Sequence, residues 1–218
     1  MRILCEALSV SVEDALLLPA VSAELSGPGV VALTGANGTG KTTLLKTLAG
    51  RMRPTHGSCM FYASREDGFT GPPSEHDPTF RAEVASLIDT PPMARDMTLS
   101  EQLTLVASSW GARADRAEQA DDELLDRLTI PQLAGRFPHE LSAGQLQLFT
   151  VALTLSRPGG LLLFDEPERH LDEQRVEAVI SVLEERASAG ALVVTATHRA
   201  EIIERCDGQL NLGPVGSR

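Results

Sequence analysis

The chain's apolar positions change period from block to block, and each block predicts an element. Val30-Val31-Ala32-Leu33-Thr34 is a short, β-branched apolar run, the pattern of a strand buried on both faces. Beyond a glycine-rich stretch, Leu44, Leu45 and Leu48 fall at helical spacing within Thr42–Ala49, and Gly50 suits the left-handed position that closes a helix. From Arg53 to about Glu83 the segment is rich in Gly, Pro, Ser and Asp; Gly71-Pro72-Pro73-Ser74 reads as exposed loop, and the pattern elsewhere specifies mostly no readable element. Thr98 followed by Glu101 opens a helix to about Trp110, and a charged, amphipathic helix follows over about Ala114 to Leu128. Pro138 keeps 136–140 as loop. Ser142 then caps a helix over Ala143–Leu155, which Arg157-Pro158-Gly159-Gly160 stops.

The last third alternates cleanly. Leu161–Phe164 is an apolar strand closed by acids, Glu173–Ser188 a helix with Gly190 after it, and Ala191–Thr197 a second buried strand. A short helix over Ala200–Arg205 and a turn at Asp207-Gly208 lead to Gln209-Leu210-Asn211-Leu212. Strands alternating with helices specify an α/β fold with a parallel sheet covered on both faces, and such sheets bind ligands beyond the carboxyl ends of their strands.

Length and charge narrow the picture. The 218 residues make one large domain or two small ones, and a formal net charge of -11 argues against a nucleic-acid partner, which would require clustered Lys and Arg. Cys5, Cys59 and Cys206 share no metal-ligand or C-x-x-C spacing, so reduced, cytosolic thiols are expected rather than a disulfide framework or a zinc site. No run approaches the roughly 18 apolar residues of a membrane span. The early Glu6 also interrupts any secretory signal, so membrane association is expected only through a partner.

Two motifs carry chemistry. Gly35-Ala36-Asn37-Gly38-Thr39-Gly40-Lys41-Thr42 lies between a strand and a helix, the context in which backbone N–H groups cradle phosphates. There Lys41 reaches β/γ oxygens and the Thr42 hydroxyl binds Mg²⁺. Asp165 and Glu166 close an apolar strand. Alone they would read as a polar turn, but downstream of a phosphate loop they read as a water-mediated Mg²⁺ carboxylate and a base for the attacking water.

Leu141-Ser142-Ala143-Gly144-Gln145 resembles the signature of ATP-binding cassette (ABC) ATPases. With the glycine loop, the acid pair, Leu171-Asp172 and Thr197-His198 in the same order, the chain is similar to an ABC transporter nucleotide-binding subunit over almost its whole length. The resemblance implies a P-loop NTPase core with a mostly parallel sheet, an N-terminal antiparallel β region and an inserted helical subdomain. It would make 1–218 a single nucleotide-binding domain, with 1–83 and 157–218 as the core and about 84–156 as the helical subdomain. It further implies ATP and Mg²⁺ as ligands, held by Gly35 to Thr43. Lys41, Glu166 and His198 would be catalytic, His198 touching the γ-phosphate.

Two cassettes would face head to tail, as a homodimer or heterodimer, so that Ser142, Gly144 and Gln145 serve the partner's nucleotide and Asp172 communicates across the interface. A separately encoded transmembrane permease subunit would place the chain on the inner face of the cell membrane, at its cytoplasmic side.

The chain also departs from the family. Val12 stands where an adenine-stacking aromatic is usual, and Thr90 where a Gln normally contacts Mg²⁺ and water. Arg169 replaces a Ser, Ala143 a Gly, and Leu146 and Leu148 the common arginines. His56, His76, His139 and His170 match no motif. Besides the transport subunit, a soluble ABC-type ATPase and a weakly active regulatory cassette remain open. The first of these alternatives is opposed by the lack of sustained heptads between Lys41 and Asp165. The second is opposed by the intact motif residues.

Overall fold

A computed structural model describes residues 1–65 and 68–213, and in the helix over 114–127 the side chains from 119 onward. Two sheets form. The first is antiparallel, in the order β2 (Ala15–Ser26), β1 (Arg2–Val12), β4 (His56–Tyr62), β5 (Thr70–Gly71). The second is wholly parallel, in the order β6 (Val84–Leu87), β7 (Leu161–Asp165), β8 (Leu192–Ala196), β3 (Gly29–Thr34), β9 (Gly208–Asn211).

Every residue of β8 and the first four of β7 are buried, as continuous apolar runs in a covered parallel sheet require. Around α1 (Lys41–Leu48), Leu44, Leu45 and Leu48 join one core with Ile3, Leu8 and Leu18 of the antiparallel sheet and Leu33 and Val194 of the parallel one. The helix that follows the glycine loop is thus clamped between the apolar faces of both sheets.

The segment from Arg53 to Glu83, whose elements the sequence pattern did not specify, holds β4, β5 and α2 (Pro78–Glu83). The start of α2 is fixed by Asp77 accepting from Thr79 N and Phe80 N and by proline in the first helical turn. Phe61, Phe69 and Phe80 pack there with ring centroids 5.1 to 6.0 Å apart. Two long strands, β1 and β2, also precede the run at Val30, and 136–140 contains one 3-10 turn at Pro138–Glu140.

The contacts divide the chain into two compact units. One comprises 1–88, 159–166 and 186–218, and the other 89–158 and 167–185. The second contains α3 (Leu99–Ser109), α4 (Ala114–Arg127), α5 (Ala143–Leu155) and most of α6 (Glu173–Ser188). Thr98 and Glu101 form the capping box read from the sequence, and Gln102, buried, accepts from Ala94 N while donating to Ala94 O and Met97 O. The short α7 (Ala200–Ile203) ends before the expected Arg205.

Candidate functional site

The glycine loop leaves β3 at Gly35 and enters α1 at Lys41. Gly40, just before the helix, has φ +98°, and a Cβ there would lie 2.7 Å from Leu17 O. Only glycine allows both that conformation and that approach of the β1–β2 hairpin. Gly38 has φ +81° with open space beside it, the side a phosphate chain would occupy. Thr39 closes the loop by donating its hydroxyl to Ala36 O at 2.9 Å. No side chain caps α1, so its first N–H groups stay available to an anion.

Lys41 is buried and folds back, with Nζ donating to Gly35 O at 2.8 Å and to Ala36 O at 3.2 Å. Two of the ammonium's three N–H donors are engaged by the loop itself, and exchanging those carbonyls for phosphate oxygens replaces dipoles with charges.

Opposite, at the carboxyl end of β7, Asp165 Oδ2 accepts from Thr42 Oγ1 at 2.6 Å. A hydroxyl oxygen and a carboxylate converging beyond a strand end are the hard oxygen donors Mg²⁺ takes, so these residues fit the ion. Glu166 follows with φ +49°, its N–H donating to Ala196 O at 2.9 Å. This left-handed turn takes Glu166 out of the strand line, at a cost such a non-glycine residue incurs only where its surroundings enforce it. His198, just past β8, brings Nε2 to 3.7 Å from Glu166 Oε1, and both side chains are roughly half exposed.

The signature residues are occupied locally. Ser142 Oγ accepts from Gln145 N at 3.3 Å while Ser142 N donates to Gln145 Oε1 at 2.9 Å, a complete capping box at the head of α5. A Cβ on Gly144 would lie 2.8 Å from His170 O, so glycine is required by the backbone passing over the helix. Ala143, where the signature usually has Gly, is exposed and helical and needs no special conformation. Leu148 is fully buried and Leu146 half-buried, so the leucines at the usual arginine positions serve packing. Asp172 caps α6 by accepting from Arg175 N at 3.0 Å, and its Oδ2 pairs with Arg175 Nη1 at 3.3 Å.

Thr90 is exposed beyond the end of β6 and belongs to the unit that carries the signature, not to that of Thr42 and Asp165. Val12 ends β1 and is 51% exposed, and Leu16, across the tight hairpin, is 46% exposed. Sequence reading missed Leu16. Its signal was an apolar run, Leu16-Leu17-Leu18, longer than a strand with one buried face can hide. Among the described residues no helix is long and apolar enough to cross a membrane.

Known proteins resemble this chain. A family model described as "ABC transporter" matches residues 18–169. An uncharacterized ABC transporter ATP-binding protein of Mycobacterium tuberculosis is 30% identical over 191 residues, which is 88% of this chain but 57% of that protein. The chain therefore spans little more than half the length of that relative. The cytochrome c biogenesis ATP-binding export protein CcmA of Paramagnetospirillum magneticum is 33% identical over 80% of this chain and 77% of its own. Among solved structures, the cassette MJ0796, described as a dimer in a post-hydrolysis state bound to ADP and Pi, superposes with a TM-score of 0.81 over 96% of this chain and 94% of its own at 19% identity.

Proposed function

Because the chain belongs to the ABC transporter family of ATP-binding cassettes, we propose that it binds and hydrolyses ATP as the energy-coupling subunit of a transporter whose membrane domain is separately encoded. The observation that carries this reading is the arrangement at the edge of the parallel sheet. Thr42 and Asp165 meet at 2.6 Å, Glu166 and His198 approach to 3.7 Å, and Lys41 Nζ lies on the glycine loop.

In this mechanism the N–H groups of Gly38 to Thr42 and the head of α1 hold the phosphates, and Lys41 leaves its carbonyls for the β/γ oxygens. Thr42, and Asp165 through water, would hold Mg²⁺, which would supply positive charge to neutralise the phosphate oxygens. Thr90 is a further candidate contact to that ion. Glu166 orients a water in line with the γ-phosphorus and takes its proton as the oxygen attacks, the bond to the bridging oxygen breaking as ADP leaves. His198 holds the γ-phosphate beside Glu166 and responds to its departure.

Ser142, Gly144 and Gln145 serve the nucleotide of a second cassette, identical or not, with Asp172 at the junction, and ATP binding closes this dimer. The helical subdomain expected at about 84–156, inserted into the core of 1–83 and 157–218, begins after β6, because Val84–Leu87 pair with β7 in the parallel sheet. The chain works at the cytoplasmic face through its permease partner, without nucleic acid. A weakly active regulatory cassette is the second reading, favoured by Val12 and Thr90 at the stacking and Gln positions.

Turnover and nucleotide retention separate these readings. Glu166→Gln should keep ATP and stall hydrolysis, because the amide cannot accept the proton. Near wild-type hydrolysis by that variant would remove Glu166 from its role, and a wild type that binds ATP without turning it over would favour the regulatory reading. Identifying what co-purifies with the chain from membranes tests the permease partner.

A further inference from the structure

Cys5 and Cys59, 54 residues apart in sequence, stand directly opposite each other in the β1·β4 ladder with their sulfurs 3.8 Å apart. Both are buried. Facing residues in an antiparallel pair have Cα atoms about 4.5 to 5.5 Å apart, within the range of about 4.4 to 6.8 Å that a disulfide bridges. Opposite Cβ atoms lie about 4.5 to 5.5 Å apart against about 3.5 to 4.5 Å in a disulfide, so side-chain rotation with a small approach of the two strands brings the sulfurs to bonding distance. Cys206 has no part in this, since its Sγ donates to Ile202 O at 3.2 Å in another segment.

The ladder breaks immediately beside the pair. β1 loses register with β2 between Cys5 and Leu8, and with β4 between Glu6 and Ser9. Ala7 takes φ +44°, and at Gly57 a Cβ would lie 2.3 Å from both Glu6 O and Ala7 O. Pairing of β1 is thus interrupted toward both neighbouring strands next to the thiols.

We propose that Cys5 and Cys59 form an oxidisable dithiol, converted by hydrogen peroxide to a disulfide that ties β1 to β4 and restored by thiol reductants. The reaction balances without any other partner. The Cys5 sulfur, as thiolate, attacks one peroxide oxygen, the O–O bond breaks, and the departing hydroxide takes a proton to become water, leaving Cys5 as the sulfenic acid. The Cys59 sulfur loses its proton as it displaces that hydroxyl, which leaves as a second water while the S–S bond forms. Both sulfurs are oxidised and the peroxide is reduced. The order of attack agrees with the electrostatics of the pair. The hydrogen bond with Cys59 holds the Cys5 thiol below its ordinary pKa, while that bond and burial push Cys59 well above it.

The loop so closed contains the whole glycine loop and α1. Its crosslink joins the strand that ends at Val12 to the strand that follows α1, a constraint placed around the phosphate-binding elements. Burial restricts the oxidant to small molecules, so peroxide acts where a bulky disulfide reagent does not.

The test uses the full chain with Cys206→Ser, which removes intermolecular pairing. After graded hydrogen peroxide, quenching and alkylation in denaturant, the alkylated thiols should fall from two to none. The intact mass should drop by two hydrogens, and digestion should give a reductant-sensitive peptide joining Cys5 to Cys59. Cys59→Ala, which lacks both the resolving thiol and the hydrogen bond that lowers the Cys5 pKa, should give no crosslinked peptide and should react more slowly at Cys5. If that variant misfolds, crosslink mapping in the Cys206→Ser protein decides alone. Retention of both thiols after peroxide, or oxygen adducts on Cys5 and Cys59 without a crosslinked peptide, overturns the proposal.

Discussion

The unit built on the two sheets and the unit that carries the signature treat their motif residues in opposite ways. At the sheet edge the polar side chains bond to the glycine loop and to one another. Lys41 rests on loop carbonyls, Thr42 on Asp165, and Glu166 stands near His198. In the other unit Ser142 and Gln145 cap α5, Asp172 caps α6, and Gly144 makes room for a backbone. The first set is arranged for chemistry within one chain. The second fixes the local backbone at the heads of α5 and α6, so a partner docking there, as proposed above, would meet little ordering entropy.

Substitutions in the two units should therefore fail differently. The largest effect is expected at Lys41→Ala, which removes a positioned charge at the phosphates and should lower turnover by about 10²- to 10³-fold or more, with a matching loss of nucleotide retention. Filter-bound or fluorescent ATP titrations alongside steady-state rates measure both, and undiminished binding would blur the contrast between the units.

A smaller effect is expected at Val12. Base–aromatic stacking is worth roughly 1 to 3 kcal/mol in nucleic-acid systems, so Val12→Tyr should tighten ATP binding by about one to two orders of magnitude. In the wild type, Val12 and Leu16 offer only aliphatic surface, and GTP should substitute tolerably for ATP. Tight, ATP-selective binding that Val12→Tyr leaves unchanged would mean the base sits elsewhere.

The signature unit carries its own pH dependence. Asp121 is buried on α4 beside Thr104, whose hydroxyl donates to it at 3.3 Å. Burial first, then the neighbouring Asp122 charge, pushes its pKa up to about 6 despite that hydrogen bond. A carboxyl whose folded pKa exceeds its unfolded value binds more protons when folded, so it costs stability above about pH 6, and the cost fades as pH falls toward the unfolded value near 3.8. Asp121→Asn should thus stabilise the chain by about 1 to 3 kcal/mol at pH 8 and by almost nothing at pH 4. Denaturant unfolding at both values checks it, and a pH-independent difference would point to packing instead.

The smallest effect belongs to Ser142→Ala. Losing the cap should cost about 1 kcal/mol of stability. Nucleotide affinity of the isolated chain should stay unchanged, because the role proposed for this group is at another chain's ligand. Equal losses of ATP affinity in Ser142→Ala and Lys41→Ala would erase the distinction between the units.

The fold was legible wherever hydrophobic period and punctuation agreed. Ser142 before Ala143–Leu155, Glu173–Ser188 closed by Gly190, and the apolar runs of β3, β7 and β8 were all readable in this way. It was illegible where a bulge broke the period. Glu6 and Ala7 interrupt the alternation of β1, and β4 passes through His56-Gly57-Ser58 before its apolar residues begin. In the Asp77-Pro78 start of α2 a helix signal was present, but a loop-like composition masked it.

For the site, the sequence supplied the residue types and their order. It could not show that Ser142 and Asp172 spend their oxygens on their own helices, that Leu16 joins Val12 in exposure, or that Cys5 and Cys59 share a rung, because these depend on register and local hydrogen bonding.

The central claim is that the two kinds of site act together only when two chains meet, and sedimentation of Glu166→Gln with ATP and Mg²⁺ tests it most directly. Without nucleotide the chain should sediment as a monomer, and with ATP as a dimer that Ser142→Ala weakens and Lys41→Ala abolishes. A chain that binds ATP yet stays monomeric at high concentration, alone and with its co-purifying partners, would contradict the account.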